Sequence, residues 1–220
     1  MKVAIRRAHQ DDVPAMLDVK QSLSLANSGS RGGFLLGTDE DGYRRLIETA
    51  RVWVMDHEGQ LTGMAVTMPD PILRTSDVWQ KRDLIDWQDP DVEALDLDTL
   101  RVGYFDQLAA LPDLYVRLAA GVLGLRALAD LLADHEHVIA TTVVEPIRNV
   151  AALKFLQRVG ANRVGRVDEV YPEVGPLVSD LFHISREEFD WKIARERAVG
   201  RPVVQRVISA ALDEELVRTR

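Results

Sequence analysis

The chain has 220 residues, no cysteine and a formal net charge of -8, with 46% hydrophobic and 28% charged residues. That length suits one domain or one domain with an appendage, and the composition is that of an ordinary globular protein. The acidic balance gives no general pull toward nucleic acid or anionic lipid, and the missing thiols exclude disulfides, thiolate metal sites and cysteine nucleophiles. The charged start, Met1 to Arg7, lacks a signal-peptide pattern, and no run of about 18 apolar residues appears, so a cytoplasmic protein without a membrane span is expected.

Val3 to Ile5 reads as a short strand. Asp11 or Asp12 can cap a helix that carries Pro14 in its first turn and runs to about Ser24. Asn27 to Gly33 is a Ser/Gly-rich loop. Thr38 to Asp41 resembles a capping box, and Tyr43, Leu46, Ile47 and Ala50 recur at helical spacing behind it. Val52 to Met55 and Leu61 to Met68 flank Glu58-Gly59 as an antiparallel hairpin, which Pro69-Asp70-Pro71 ends. Residues 72–100 hold Trp79, Trp87 and many Asp with weak periodicity, so loop and short helix are expected there.

Val102 to Leu111 is a strand candidate, and Leu118, Val122, Leu125, Ala129 and Leu132 mark a long helix over 117–132. Val138 to Val144 has the pattern of a buried strand. Asn149 opens a helix with Ala152, Phe155, Leu156 and Val159 on one face, and Gly160 closes it. Asn162 to Val170 and Leu177 to Ile184 are two further strands. Ser185 to Glu188 is a second capping box, starting a helix to about Ala198, and Pro202 starts a last one. The apolar stripe Val204, Val207, Ile208 and Ala211 needs a cover, and a homodimer contact through these C-terminal helices is expected. This order predicts an α/β or α+β fold, a mixed sheet with helices on both faces.

Two stretches resemble the GNAT acetyltransferase superfamily. The stronger is Glu145 to Ala161, where Asn149, Ala152, Phe155 and Gly160 match the family's strand-helix block, Leu156 stands where Tyr is common and Ala161 where Phe is common. The second is Tyr104 to Pro112 followed by Arg117 to Gly124, similar to the family's fourth strand and pyrophosphate loop. There Arg117, Ala120 and Val122 keep the spacing without the two small glycines, and Gly121 and Gly124 are out of register. Gly33 to Leu36 and the hairpin around Gly63 also look family-like.

The resemblance implies a GNAT domain over 1–185 with a mostly antiparallel central sheet, and a C-terminal helical extension over 186–220. It implies acetyl-CoA as co-substrate and an amine of a small molecule or peptide as acceptor. The alternative is a non-catalytic GNAT-like module that binds an acyl-CoA or a partner protein.

The chemistry makes definite demands. An amine has a free pKa of about 10 and must lose a proton before it attacks a thioester carbonyl. The oxyanion that develops needs a placed donor, which backbone amides of Leu108, Ala109, Ala110 and Leu111 supply if the strand bulges or splays. A diphosphate can rest on a helix start where Ala119, Ala120, Gly121 and Val122 let the backbone approach and Arg117 adds charge. The same segment reads equally well as a plain buried helix. Asn149 is first an N-cap, and the resemblance adds a hydrogen bond to pantetheine. Asp106 and Glu145 are the candidate bases, each also readable as a solvated strand-end carboxylate. Asp106 alternates with Tyr104 and Leu108, which predicts one shared face. Tyr115 and Tyr171 are candidate acids in place of the missing Tyr. Trp79, Ile85 and Trp87 can wall an acceptor site or simply pack the insert. His135-Glu136-His137 lacks further ligands at metal-like spacing, so no metal site is expected and a polar loop is preferred.

Overall fold

Glu58 and Gly59 both have positive φ (52° and 83°), the two-residue turn that suits the right-handed twist of a hairpin, and they join β2 (Arg51–His57) to β3 (Gln60–Met68). From this hairpin the sheet grows outward. β1 (Val3–Arg7) pairs with β2, and β5 (Val102–Ala110) pairs with β3, all antiparallel. β5 then meets β6 (His137–Glu145) in parallel, the one parallel contact among the described residues. β8 (Gly175–Ser185), β7 (Asn162–Tyr171) and the two-residue β4 (Asp86–Trp87) complete an eight-stranded sheet in the order β1-β2-β3-β5-β6-β8-β7-β4. The computed structural model describes residues 3–27, 32–171 and 174–213.

One face is covered by α6 (Leu114–Leu132), α7 (Val150–Val159), α8 (Arg186–Val199) and α9 (Pro202–Leu212). Leu123, Leu128 and Leu131 of α6 pack there against Phe105, Val138, Phe182 and Ile184 from the strands. Close approach depends on Gly124, where a Cβ would lie 2.7 Å from the Phe155 ring and 2.8 Å from Leu108. α9 lies on α6, with Ile208 and Ala211 buried. The apolar stripe that suggested a dimer is therefore covered largely within the chain.

The opposite face carries two separate patches. α1 (Val13–Ser22) and α2 (Glu40–Thr49) pack Val13, Met16 and Tyr43 on Val52, Val54, Met64, Val66 and Ala109. The insert between β3 and β5, with short helices α3 (Asp70–Leu73), α4 (Asp77–Gln80) and α5 (Pro90–Glu93), packs Leu73, Trp79 and Val92 on Tyr104, Ile139, Val164 and Leu181. His135, expected in a polar loop, is instead fully buried. Its Nε2 accepts from the Asp70 amide at 2.9 Å and its Nδ1 lies 2.8 Å from the Leu131 carbonyl, which pins the start of the insert to the end of α6.

Among the described residues the element assignments hold with three differences, and most of the expected loop over 27–33 lies outside those residues. α2 is capped by Asp39, which accepts from the Gly42 amide at 2.8 Å, and not by a capping box at Thr38. β4 lies inside the region expected to be loop and short helix, because its backbone pairs with Gly165 and Arg166 from far along the sequence. α6 begins at Leu114 rather than Arg117, because Asp113 caps it: its carboxylate accepts from the Val116 amide at 3.3 Å. Replacing Gly124 with Val should force apart α6, α7 and β5. The expected loss is about 1–3 kcal/mol, read as a lower denaturant midpoint with an unchanged slope.

Candidate active site

β5 and β6 pair through three residue pairs, Val102 with His137, Gly103 with Val138 and Tyr104 with Ile139. Beyond Tyr104 they part, and no ladder joins residues 105–110 to 140–145. Tyr104 Oη and Thr141 Oγ1, 2.6 Å apart, bridge the two strands just past the last pair. On the other edge of β5, Leu111 donates to the Thr62 carbonyl at 2.9 Å, which sets the phase of the antiparallel ladder. Ala109 and Leu111 thus aim their amides at β3, and Leu108 and Ala110 aim theirs at the open side. Of the four residues expected to offer donors, only these two are so placed.

Asp106 is an extra residue in β5. Val66 pairs with Gln107 and Thr67 with Phe105, which leaves Asp106 without a partner in a β-bulge. The bulge reverses the alternation. Tyr104 packs with the insert and Ala109 with α1 and α2, both on one face, but Leu108 packs with Phe105 on the α6 face. The expectation that Tyr104, Asp106 and Leu108 share a face is corrected: Leu108 is on the opposite side. Asp106 lies where the two apolar patches of the first face separate.

The group around Asp106 is polar and enclosed. Gln107 is buried, accepts from Tyr43 Oη at 3.0 Å, and donates to Thr38 Oγ1 at 3.1 Å and Asp106 Oδ2 at 3.2 Å. Burial pushes the Asp106 carboxyl up to about 6, against the Gln107 hydrogen bond, which lowers it. Burial likewise pushes the Tyr171 hydroxyl up to about 12, with the charges of Glu169 and Asp106 adding to it. Tyr104 is raised by burial, then by Asp106 and, less, by Tyr171 and Glu169. Glu169 is itself buried, accepts from Ser179 Oγ at 2.6 Å and has Lys81 Nζ at 4.0 Å. The structure thus brings Asp106 and Tyr171 into one electrostatic neighbourhood.

Glu145 does not belong to that neighbourhood. Its side chain is 61% exposed and lies 3.7 Å from Arg166, which also donates to Asp180 on the face that carries Phe182 and Ile184. As a base candidate it is set aside, because the bulge at the end of β6 turns it to solvent.

Ala119, Ala120, Gly121 and Val122 fall within the second and third turns of α6, not at its start. A Cβ at Gly121 would meet Val207 of α9 at 3.6 Å, an ordinary contact, so Gly121 faces α9 rather than an open helix start. The side chains of Arg117 and Tyr115 lie outside the described residues. Asn149 caps α7 through Ala152 N–H at 3.4 Å, and its Nδ2 donates to the Phe34 carbonyl at 3.0 Å. Phe155 is tilted against Phe105 with centroids 5.4 Å apart. Trp79 is buried with the Arg74 and Arg82 guanidiniums over its ring, so Trp79, Ile85 and Trp87 pack the insert rather than wall an open site.

No protein-family model and no curated protein matches this sequence. Solved structures do match its shape. NAA60 of Arabidopsis thaliana in complex with acetyl-CoA superposes with a TM-score of 0.60 at 12% identity, over 84% of this chain and 98% of that one. An N-acetyltransferase from Staphylococcus aureus Mu50 gives 0.57 at 14% identity, over 84% and 99%. The loading GNATL domain of CurA from Lyngbya majuscula gives 0.55 at 15% identity, over 85% and 99%. The chain has the GNAT fold.

Within this GNAT fold, sequence reasoning missed Gln107, Thr38, Glu169, Phe34 and Asp113. Two had local signals. Asp106-Gln107 places two consecutive polar residues in an apolar strand, which strict alternation cannot satisfy without a bulge. Pro112-Asp113 is an N-cap pattern. Thr38 and Phe34 lie in stretches marked for other reasons and Glu169 gave no signal, because the partners of all three are distant in the chain.

The raised carboxyl has a thermodynamic consequence. Folding disfavours ionised Asp106, so the stability it contributes is complete below about pH 4 and is lost as the pH rises through about 6. Asp106→Asn should therefore stabilise the protein at pH 8 by about 1–3 kcal/mol and have no such effect near pH 3.5, as read from denaturant midpoints at the two pH values.

Proposed function

We propose that this chain transfers an acetyl group from acetyl-CoA to a primary amine of a small molecule or peptide, in the opening between β5 and β6. The observation that carries the reading is the bulged Asp106, with its raised pKa, beside outward-facing amides where two strands part. The shared fold with N-acetyltransferases, one solved with acetyl-CoA, supports it.

The residues fit such a ligand in part. The Leu108 and Ala110 amides are aimed where pantetheine amide groups would lie, and the first turn of α6 offers amides to a diphosphate, with Arg117 next to it in sequence. Asn149 and the Phe155 side of α7 would border the pantetheine arm. The ligand supplies an activated acyl group, and the chain supplies the rest. An acceptor arrives as an ammonium, and Asp106 takes one proton from it, which a carboxylate of pKa about 6 does at neutral pH more readily than an ordinary one. The free amine then attacks the thioester carbonyl, and the strand amides face the charge that develops on its oxygen. Tyr171 keeps its proton to well above neutral pH and so can donate it to the departing sulfur, and it regains one from the nitrogen, which loses its second proton as the intermediate collapses to the amide.

The acceptor side is anionic. Asp106 and Glu169 both act on Tyr104 and Tyr171, which favours a cationic amine over a neutral or acidic one. A cleft of about 470 Å³ bordered by Leu17, Lys20, Leu35, Leu36 and Val174 opens beside the loop before α2 and is the entrance we assign to it. The C-terminal extension from residue 186 carries α8 and α9, which pack on α7 and α6 instead of joining the sheet. A second reading, a non-catalytic GNAT-like module that binds an acyl-CoA or a partner protein, is favoured by Leu156, an apolar residue where the family commonly carries a Tyr.

A thiol-release assay over an amine panel tests the main reading, and titration calorimetry with acetyl-CoA tests binding alone. Tight binding with no released thiol on any amine would select the second reading. Asp106→Asn should lower kcat/KM about 10²- to 10⁴-fold, and in the wild type kcat/KM should rise with pH through about 6 before other groups titrate. Asp113→Asn keeps a capping oxygen and removes a negative charge, so it should tighten acetyl-CoA about two- to fivefold at low salt and less at high salt.

A further inference from the structure

Residues 33–38 run from Asn149 at the end of β6 to Gln107 of β5, on either side of the opening between the parted strands. At one end the Phe34 carbonyl accepts from Asn149 Nδ2 at 3.0 Å, and Asn149 is held at the end of β6 by its own amide on the Val143 carbonyl at 2.9 Å. Gly33 approaches the same corner so closely that a Cβ there would lie 2.9 Å from Ala151 Cβ and 3.2 Å from Asn149 Oδ1. At the other end Thr38 Oγ1 accepts from Gln107 of β5 at 3.1 Å, and its carbonyl accepts from Lys20 Nζ at 2.9 Å. Between them Gly37 lies over the Tyr171 ring, and Leu35 N–H donates to the Leu23 carbonyl at 3.1 Å. Phe34 is only 5% exposed yet belongs to none of the three apolar clusters. One edge of the opening is thus tied to the other by residues 33–38.

We infer that residues 33–38 form an autoinhibitory latch that holds the Asn149 amide on Phe34 and must release it before an acyl thioester can enter. The inference rests on the reading of Asn149 as part of the acyl-donor site. Three features suit a latch rather than a fixed wall. Its grip on α7 is one neutral hydrogen bond and one glycine contact, modest in strength. Thr38 is a β-branched residue at φ 49°, a conformation that costs free energy and is relieved when its contacts let go. Gly37 beside it, at φ 64°, gives the chain a second left-handed residue at which to hinge.

Gly33 gives the means to test it, because one methyl group there would crowd Ala151 Cβ and Asn149 Oδ1 and so oppose the closed state. Backbone hydrogen exchange over residues 32–38 of the full chain is measured with and without saturating acetyl-CoA, and acetyl-CoA affinity is measured by calorimetry for the wild type and Gly33→Ala. A latch predicts faster exchange in this segment on binding, and about three- to tenfold tighter binding by Gly33→Ala, the factor set by removing one ordinary hydrogen bond from the closed form. Slower or unchanged exchange on binding, or weaker binding by Gly33→Ala, overturns the latch while leaving the transferase reading in place. Absence of binding by both proteins overturns the transferase reading, and the latch with it. The wild-type exchange measurement decides the matter even if Gly33→Ala folds poorly.

Discussion

Everything at the candidate site follows from a limit on pairing between β5 and β6. Two parallel strands stay bonded only while their twist and direction agree, and here they agree for three residue pairs. Past Tyr104 the backbone of β5 loses one neighbour and keeps the other. An edge is thereby opened in the middle of a sheet, where strands are otherwise satisfied on both sides. The bulge at Asp106 falls on the second residue after the split, and it aims a carboxyl into the place where backbone donors are turned outward.

The site's chemistry has the same origin. A bulge leaves its residue unpaired in the ladder, so a polar side chain can be accommodated where a regular strand would demand an apolar one. The position between two apolar patches withdraws water from Asp106 without supplying a cation, and its proton affinity rises. Tyr171 and Glu169 come from β7, on the other side of the split, so this environment exists only when both halves of the sheet are assembled. Lys81 of the insert is the cation nearest Glu169, and it lies at the far limit of an ion pair. The destabilisation stored in Asp106 is therefore coupled to the same fold that positions it.

The helical face has a different task. Gly124 and Gly121 are out of register with a phosphate-binding loop in the sequence, and in the structure Gly124 is needed for close contact with Phe155 and Leu108, whereas Gly121 faces α9 at an ordinary distance. α6 starts at Leu114, three residues upstream of the expected Arg117, under the Asp113 cap. The C-terminal helices, which looked in need of a partner, find one in α6.

The sequence by itself determined the elements. Periodicity, the capping box at Ser185, the caps at Asp39 and Asn149, the closing Gly160 and the Glu58-Gly59 turn are local, and local chemistry fixes them within a few residues. It also placed Asp106 and Tyr171 among the candidates, because an ionisable residue in or beside an apolar strand is conspicuous. Only the tertiary structure decided which of the named groups meet. Leu108 changed faces through one extra residue, Glu145 turned to solvent, and Phe34 took the Asn149 amide from more than a hundred positions away. Each of those outcomes depends on register or on contacts between distant segments, which no periodicity along the chain records.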